Sequence, residues 1–300
     1  MAARRRYWVQ RFDINPIIHP AMAGFAPGDG ENINGPSLIR VPSWITNPLG
    51  KYYLYFAHHK GAYIRMAYAD HLAGPWTILP GGVLHIAQGP GYEHIGSPDV
   101  HVDHDARTIR MYFHQPATPD ARRQVSYVAL SSDGLTFAPR GDDLGDSYFR
   151  VFQWRGHFYA LAKHGNVDGV LLQSRDGLRP FEPGPHFLPG IRHTAIWRDG
   201  EELNIIYSLV GEAPERLYHT TCQLSGDWRT WSIQPGPVLL EPERDYEGAN
   251  LPLIPSKYGP IHGPARQLRD PAIYEEAGRR YLLYSVAGEQ GIAIGELSGE

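Results

Sequence analysis

Hydrophobic and polar positions alternate along this chain in short runs, and the runs fall into groups. "KYYLYFAHH" (51–59), "TIRMYFHQ" (108–115), "HFYALAKH" (157–164), "ELNIIYSLV" (202–210) and "RYLLYSVAG" (280–288) have the length and aromatic, aliphatic content of strands. A shorter run precedes each: "GPSLI" (35–39), "SPDVH" (97–101), "YFRVF" (148–152), "HTAIW" (193–197) and "DPAIY" (270–274). Laid over one another, these leading runs share an aliphatic fourth place: Leu38, Val100, Val151, Ile196 and Ile273. A third run follows in every group: "AYIRMAYA" (62–69), "QVSYVALS" (124–131), "GVLLQS" (169–174), "RLYHTTCQL" (216–224) and "GIAIGEL" (291–297). Four groups end on a closing run marked by Trp or Phe: "GPWTIL", "LTFAPR", "RPFEPG" and "RTWSIQ". The fifth group has no such run before Glu300, and "RYWVQRFDI" (6–14) is expected to supply its fourth strand.

A repeat of about 45–60 residues suits propeller blades. The turns "SSDG" (131–134) and "SRDG" (174–177) recur before the closing run of successive groups, and Asp-Gly is a strong hairpin signal. No stretch holds a helical period with caps. The expectation is an all-β protein: one domain, 1–300, a five-bladed β-propeller with four-stranded antiparallel blades closed by the N-terminal strand.

Composition narrows the picture. The chain has 300 residues with 42% hydrophobic content, enough for a large core. Its 33 Gly and 26 Pro are spread as turn punctuation, so no linker divides it. A net charge of −4 gives no excess of cations for a phosphate backbone, and nucleic acid is not an expected partner. No run is long and apolar enough to span a membrane, and "MAARRRYWVQRF" lacks the core of a signal peptide. A soluble, cytoplasmic protein is expected. The single cysteine, Cys222, excludes an intrachain disulfide and argues against a zinc–cysteine site. Nothing in the sequence speaks to oligomeric state.

In a propeller, the starts of the leading strands converge on one mouth. That mouth is expected to receive Asn34, Asp99, Arg150, His193 and Asp270, with Ser37 and Arg269 nearby, a set capable of catalysis. Plainer roles exist for each. The two Asp can cap turns, Arg150 can pair with either, and His193 can be a satisfied core residue. Glu93, before the second leading run, and Glu247, on the long irregular stretch 241–268, are further candidate carboxylates. Tyr258 on that stretch and Trp44 are candidates for stacking contacts with a ligand. The cluster "HVDHD" (101–105) reads as a polar turn more than a metal site.

"SPDVHV" resembles the blade-two motif of glycoside hydrolase family 43, and "RDPAIYEEAGRRYLLYSVAG" is similar to leading strands there and in the related family 32, 117 and 130 propellers. The resemblance covers nearly the whole chain as architecture and implies a divergent glycosidase. It implies that Asp99 orients substrate and tunes the acid. The family's base position reads Gly35, and its acid position, within "DSYFRVF", holds no Glu. By analogy with family 117, His193 would take the acid role. Asp99 and Asp270, placed across the channel, would suit the wider carboxylate spacing of an inverting enzyme. Arg150 and Arg269 would keep a carboxylate ionised. The residues themselves require no cofactor; the resemblance points to a structural calcium ion in the central channel near a His.

The leading expectation is therefore a glycosidase for a small saccharide or glycoconjugate. The catalytic candidates are Asp99, Asp270, His193 and Glu247; the substrate-binding candidates are Asn34, Glu93, Arg150, Arg269, Trp44 and Tyr258. The alternatives are a non-catalytic propeller that binds carbohydrate or protein, and a phosphorylase or lyase on the same scaffold.

Overall fold

The tyrosine-rich runs are apolar on both faces because both faces are covered. A computed structural model of the protein describes residues 5–120, 122–165 and 167–300. β1 (Tyr7–Arg11) comes first. β2 (Asn34–Arg40), β3 (Tyr52–Ala57), β4 (Tyr63–Ala69) and β5 (Thr77–His85) then pair in order as an antiparallel meander. β6 (Gly96–Asp103), β7 (Thr108–Pro116), β8 (Gln124–Ser131) and β9 (Ala138–Pro139) repeat the pattern. So do β10 (Gly145–Trp154), β11 (His157–His164), β12 (Asp168–Ser174) and β13 (Glu182–Phe187). β14 (Ile191–Asp199), β15 (Glu202–Leu209), β16 (Leu217–Gln223) and β17 (Val238–Leu240) follow. Finally β18 (Arg269–Glu276), β19 (Arg279–Ser285) and β20 (Ile292–Gly299) are joined by β1, which lies antiparallel on β20 from Tyr7↔Gly299 to Arg11↔Gly295. By hydrogen bonding these form three sheets of four strands and one of eight, whose halves are joined only at Gly145↔Ser126 and Asp146↔Val125. Among the described residues, helix is confined to four 3-10 turns of three residues.

The protein is thus all-β, as the alternation predicts, and β1 completes the last sheet. Alternate residues of each second strand enter different cores. In β3, Tyr52, Leu54 and Phe56 pack against Ala272, Tyr274 and Leu283 of the last meander, whereas Tyr53 and Tyr55 pack against Val100, Met111 and Phe113. The same division holds for β7, β11, β15 and β19, so that every core lies between successive meanders and one joins the last to the first. The leading strands touch in the same cyclic order, β2 on β6, β6 on β10, β10 on β14, β14 on β18 and β18 on β2.

The Asp-Gly turns are built alike. Asp133 Oδ1 accepts from Leu135 N at 2.8 Å, and Asp176 Oδ1 accepts from Leu178 N at 2.8 Å. Tyr55 of β3 donates to Gly134 O at 2.9 Å, and Tyr112 of β7 donates to Gly177 O at 3.0 Å. A second-strand tyrosine thereby ties each turn to the preceding meander.

Two expectations are corrected. "RTWSIQ" is not a strand: Trp228 and Trp231 bury their rings, but the backbone there runs through a 3-10 turn, and β17 forms further on at Val238–Leu240. In the fourth meander the aliphatic place is Ala195, fully buried, with Ile196 on the other face. A slip of one residue exchanges the faces of a strand. His193 stands where Pro36, Pro98 and Pro271 stand in three of the other leading strands and Phe149 in the fourth, so this strand lacks the proline that marks the register in three of them.

Candidate active site

Every leading strand carries a bulge at the same register, between Asn34 and Ser37, Gly96 and Asp99, Ser147 and Arg150, Ile191 and Thr194, and Arg269 and Ala272. A bulge bends its strand and re-aims a side chain. Gly35, Ser97, Tyr148 and Asp270 fill the first bulged position with φ of 61°, 48°, 63° and 46°. For tyrosine and aspartate this left-handed backbone is strained, a feature that gathers at functional sites. The ends of the second strands lie alongside and bring in His114 and Lys163, with His59 just beyond the end of β3.

At this level His193 Nδ1 is in contact with Asp270 Oδ1, and Asp270 Oδ2 accepts from Ser285 Oγ at 3.1 Å. His193 Nε2 is buried without a hydrogen-bond partner among the described residues. The Tyr148 ring lies between two imidazoles, 4.4 Å from that of His193 and 4.3 Å from that of His114. Behind them runs a chain of buried charges. Arg192 Nε donates to Glu215 at 2.7 Å, Glu215 lies 3.3 Å from Arg269 Nε, and Arg269 Nη1 donates to Glu289 at 2.8 Å. Glu289 in turn lies 3.5 Å from His59 Nδ1 and accepts from Asn32, which accepts from Asn34 Nδ2 at 2.8 Å.

Burial pulls the His193 imidazole below its usual value, with Asp270 opposing. Burial pushes the Asp270 carboxyl up, but the His193 ring, Arg269 and Arg192 outweigh it and hold the group well below the usual carboxylate range. Burial thus favours the neutral imidazole and the neighbouring cations favour the ionised carboxylate, and with Nδ1 turned to Asp270 a neutral ring would present its Nε2 lone pair. A pair in that form can take up a proton, whereas the acid role expected above needs the protonated ring.

Glu289 shows the same balance: burial raises it, while His59 and Arg269 bring it down to about 2. Its folded value is below its unfolded one, so its contribution is complete above about pH 4.5 and fades as pH falls toward 2. Glu289→Gln is expected to flatten the acid limb of stability by up to about 1.4 kcal/mol per pH unit, measured by urea unfolding between pH 5 and 2.

One step along the strands lies a second level, and here Asp99 departs from expectation. Asp99 Oδ2 accepts from Val151 N and from His101 Nε2, both at 2.8 Å, and Oδ1 lies 3.7 Å from Arg150 Nη1. Ser37, at the same register of β2, likewise accepts from Val100 N at 2.9 Å. Asp99 is a stitch between neighbouring leading strands, and no described contact joins it to His193 or Asp270. Arg150 lies across the middle, donating to Thr194 O at 3.0 Å, Pro98 O at 3.0 Å and Pro271 O at 3.4 Å.

The resemblance implied a channel cation near a His. Carbonyls that would ligate one at this level already accept from the Arg150 guanidinium, and among the described residues no three His, Cys, Asp or Glu group to hold a metal. These residues do not fit a cation.

Two other candidates lie elsewhere. Glu247 is fully buried and bonded to Arg11 Nε at 2.7 Å, Tyr284 Oη at 2.8 Å and Glu243 N at 2.8 Å, on the β1 side of the last sheet. It is a staple for the 241–268 stretch, not a catalytic group. Glu247→Gln is expected to cost about 3–5 kcal/mol in urea unfolding, because the buried Arg11–Glu247 pair is broken. Trp44 follows the far end of β2 and packs 5.4 Å from His104, in the β6–β7 turn, at the opposite end from His193. Tyr258 does reach the mouth, with its ring 5.2 Å from Lys163 Nζ, and Glu93 sits exposed on the rim, 3.4 Å from Lys60. His59, Tyr148, Lys163, Arg192, Glu215 and Glu289 were missed. The polar tails of "FAHH" and "LAKH" were the available signal, since an antiparallel hairpin sets the end of its second strand beside the start of its first.

The sheets and their convergent bulges define a β-propeller of the kind found in family-43 glycoside hydrolases. An alpha-L-arabinofuranosidase from Lactobacillus brevis superposes with a TM-score of 0.63 at 11% identity, over 94% of this chain and 92% of that one. A family-43 beta-xylosidase/alpha-arabinofuranosidase from a compost microbial metagenome, in complex with xylotriose, gives 0.61 at 13% identity over 92% and 94%. An N-acetylgalactosamine deacetylase from F. plautii, in complex with blood group B trisaccharide, gives 0.62 at 10% identity over 97% and 95%. No protein-family model matches the chain. The chain belongs to the family of the uncharacterized protein R118 of Acanthamoeba polyphaga mimivirus, to which it is 36% identical over 95% of its own length and 89% of that protein.

Proposed function

We propose that the five meanders are the blades of a five-bladed propeller, and that the protein is a hydrolase that cleaves a glycosidic bond of a saccharide held at the mouth of the ring. The observation that carries this is the His193–Asp270 pair, with a free Nε2 beside a cavity, at the bulged starts of the leading strands. The likeness in fold to glycosidases supports it. As water attacks the anomeric carbon and the bond to the leaving oxygen breaks, His193 accepts the water's proton and the leaving oxygen takes a proton from solvent, while Asp270 holds the ring in the tautomer that leaves Nε2 free and stabilises the imidazolium that forms. Tyr148 packs against the ring and fixes its plane.

The carboxylic acid of the usual two-carboxylate mechanism has no obvious source, because Asp99, Asp270 and Glu289 are all held ionised. That favours a second reading, removal of an acyl group from a sugar, in which one histidine serves first as base and then as acid. The deacetylase of similar fold is in keeping with it. Incubation with a panel of oligosaccharides and acetylated sugars, with products separated by mass, tests both. Release of a sugar supports the first reading, release of acetate the second, and no release from any substrate contradicts both.

A further inference from the structure

The cavity beside His193 has walls of one predominant sign. It measures about 310 Å³ and is lined by Arg122, Arg123, Lys163 and Arg192 against one carboxylate, Asp146. Three of the four cations are matched: Arg122 by Asp120 at 3.2 Å, Arg123 by Asp143 at 2.8 Å and Arg192 by Glu215 at 2.7 Å. Asp146 lies 3.2 Å from His164 Nδ1. Lys163 has no ion pair and its ammonium no hydrogen-bond acceptor among the described residues, although the residue is only 5% exposed. Its Nζ stands 5.5 Å from the ring centre of Tyr148 and 5.2 Å from that of Tyr258.

Two aromatic faces stabilise a cation but accept none of its N–H bonds in the way an oxygen does. The ammonium lies on the cavity wall, within electrostatic reach of Glu215 and Asp270 but bonded to neither, and a ligand that brings an anion into contact with it gains a charge-assisted hydrogen bond. Burial draws Lys163 down to about 8, which leaves it largely protonated at neutral pH.

Resting on the reading of this mouth as a saccharide site, we propose that Lys163 receives an anionic substituent of the sugar, so that the substrate is an acidic saccharide bearing a carboxylate, sulfate or phosphate. Tyr258 and Tyr148 flank that group, and His193 reaches the bond beside it.

Titration calorimetry tests this without turnover. Glucuronate, galactose 6-sulfate and glucose 6-phosphate are compared with glucose and galactose, and inorganic sulfate and phosphate serve as ion controls. At least one acidic sugar is expected to bind roughly 10- to 100-fold more tightly than its neutral parent. The advantage is expected to vanish in Lys163→Met and Lys163→Gln, each checked for native circular dichroism, and to persist in Lys163→Arg. Equal affinity for acid and neutral sugars, no binding of either, or inorganic ions binding as tightly as the acidic sugars overturns the proposal. So does a preference that survives in whichever neutral variant folds. Acid-selective binding with no bond cleaved in any substrate contradicts the hydrolase reading and leaves this one standing.

Discussion

Arg150→Met is expected to be among the most destabilising single changes in the protein, costing about 3–5 kcal/mol and lowering Tm by roughly 5–8 °C. The guanidinium is buried and reaches the backbones of three other leading strands, at Thr194 O, Pro98 O and Pro271 O. Methionine fills the space but donates nothing. It strands three carbonyls and leaves Asp99 with one cation fewer in a site without water's dielectric. Asp99→Asn in the Arg150→Met background is expected to recover part of the loss, because one unpaired charge is then removed. If Arg150 takes the place of a channel cation, excess EDTA leaves the wild-type Tm unchanged. A wild-type Tm that falls in EDTA and returns with calcium contradicts that arrangement.

Asp270→Asn is expected to lower kcat by roughly 10²- to 10⁴-fold. An amide in place of the carboxylate can donate to Nδ1 as well as accept from it. It then favours the tautomer that puts the proton on Nε2, where the lone pair is needed. The sign of the pH effect also follows. Asp270 raises His193 against the downward pull of burial, so its loss sends the imidazole lower still. The acid limb of any residual activity is expected to move to lower pH, a shift that a merely structural defect would not produce. The variant is also expected to be less stable above pH 4, where the wild-type carboxylate is ionised in the folded chain and contributes most.

The strands were readable because burial on both faces leaves a continuous apolar run, and because turns punctuate the runs. Even the closure by Tyr7–Arg11 followed from counting, since one group lacked a fourth strand. The bulges were not readable. They sit where the pattern meets a loop, and proline marks three of the five; of the two without it, Phe149 kept the register and His193 lost it by one. That slip hid the equivalence of Arg192 with Gly35, Ser97, Tyr148 and Asp270. Asp99 misled for a related reason. It follows Pro98 as Ser37 follows Pro36, and both side chains stitch the next strand in place. The pairing of His193 with Asp270, and the chain from Arg192 to His59, join residues far apart in sequence. No local pattern carries them; they become visible only once the leading strands are brought into contact.

The most direct test of the account is the rate of wild type and His193→Asn on a panel of aryl glycosides with neutral and acidic sugars. At least one is expected to be cleaved well above the uncatalysed rate, and the variant, though folded, is expected to be slower by a hundredfold or more. Cleavage by the variant at the wild-type rate, or no cleavage of any glycoside by the wild type, would contradict it.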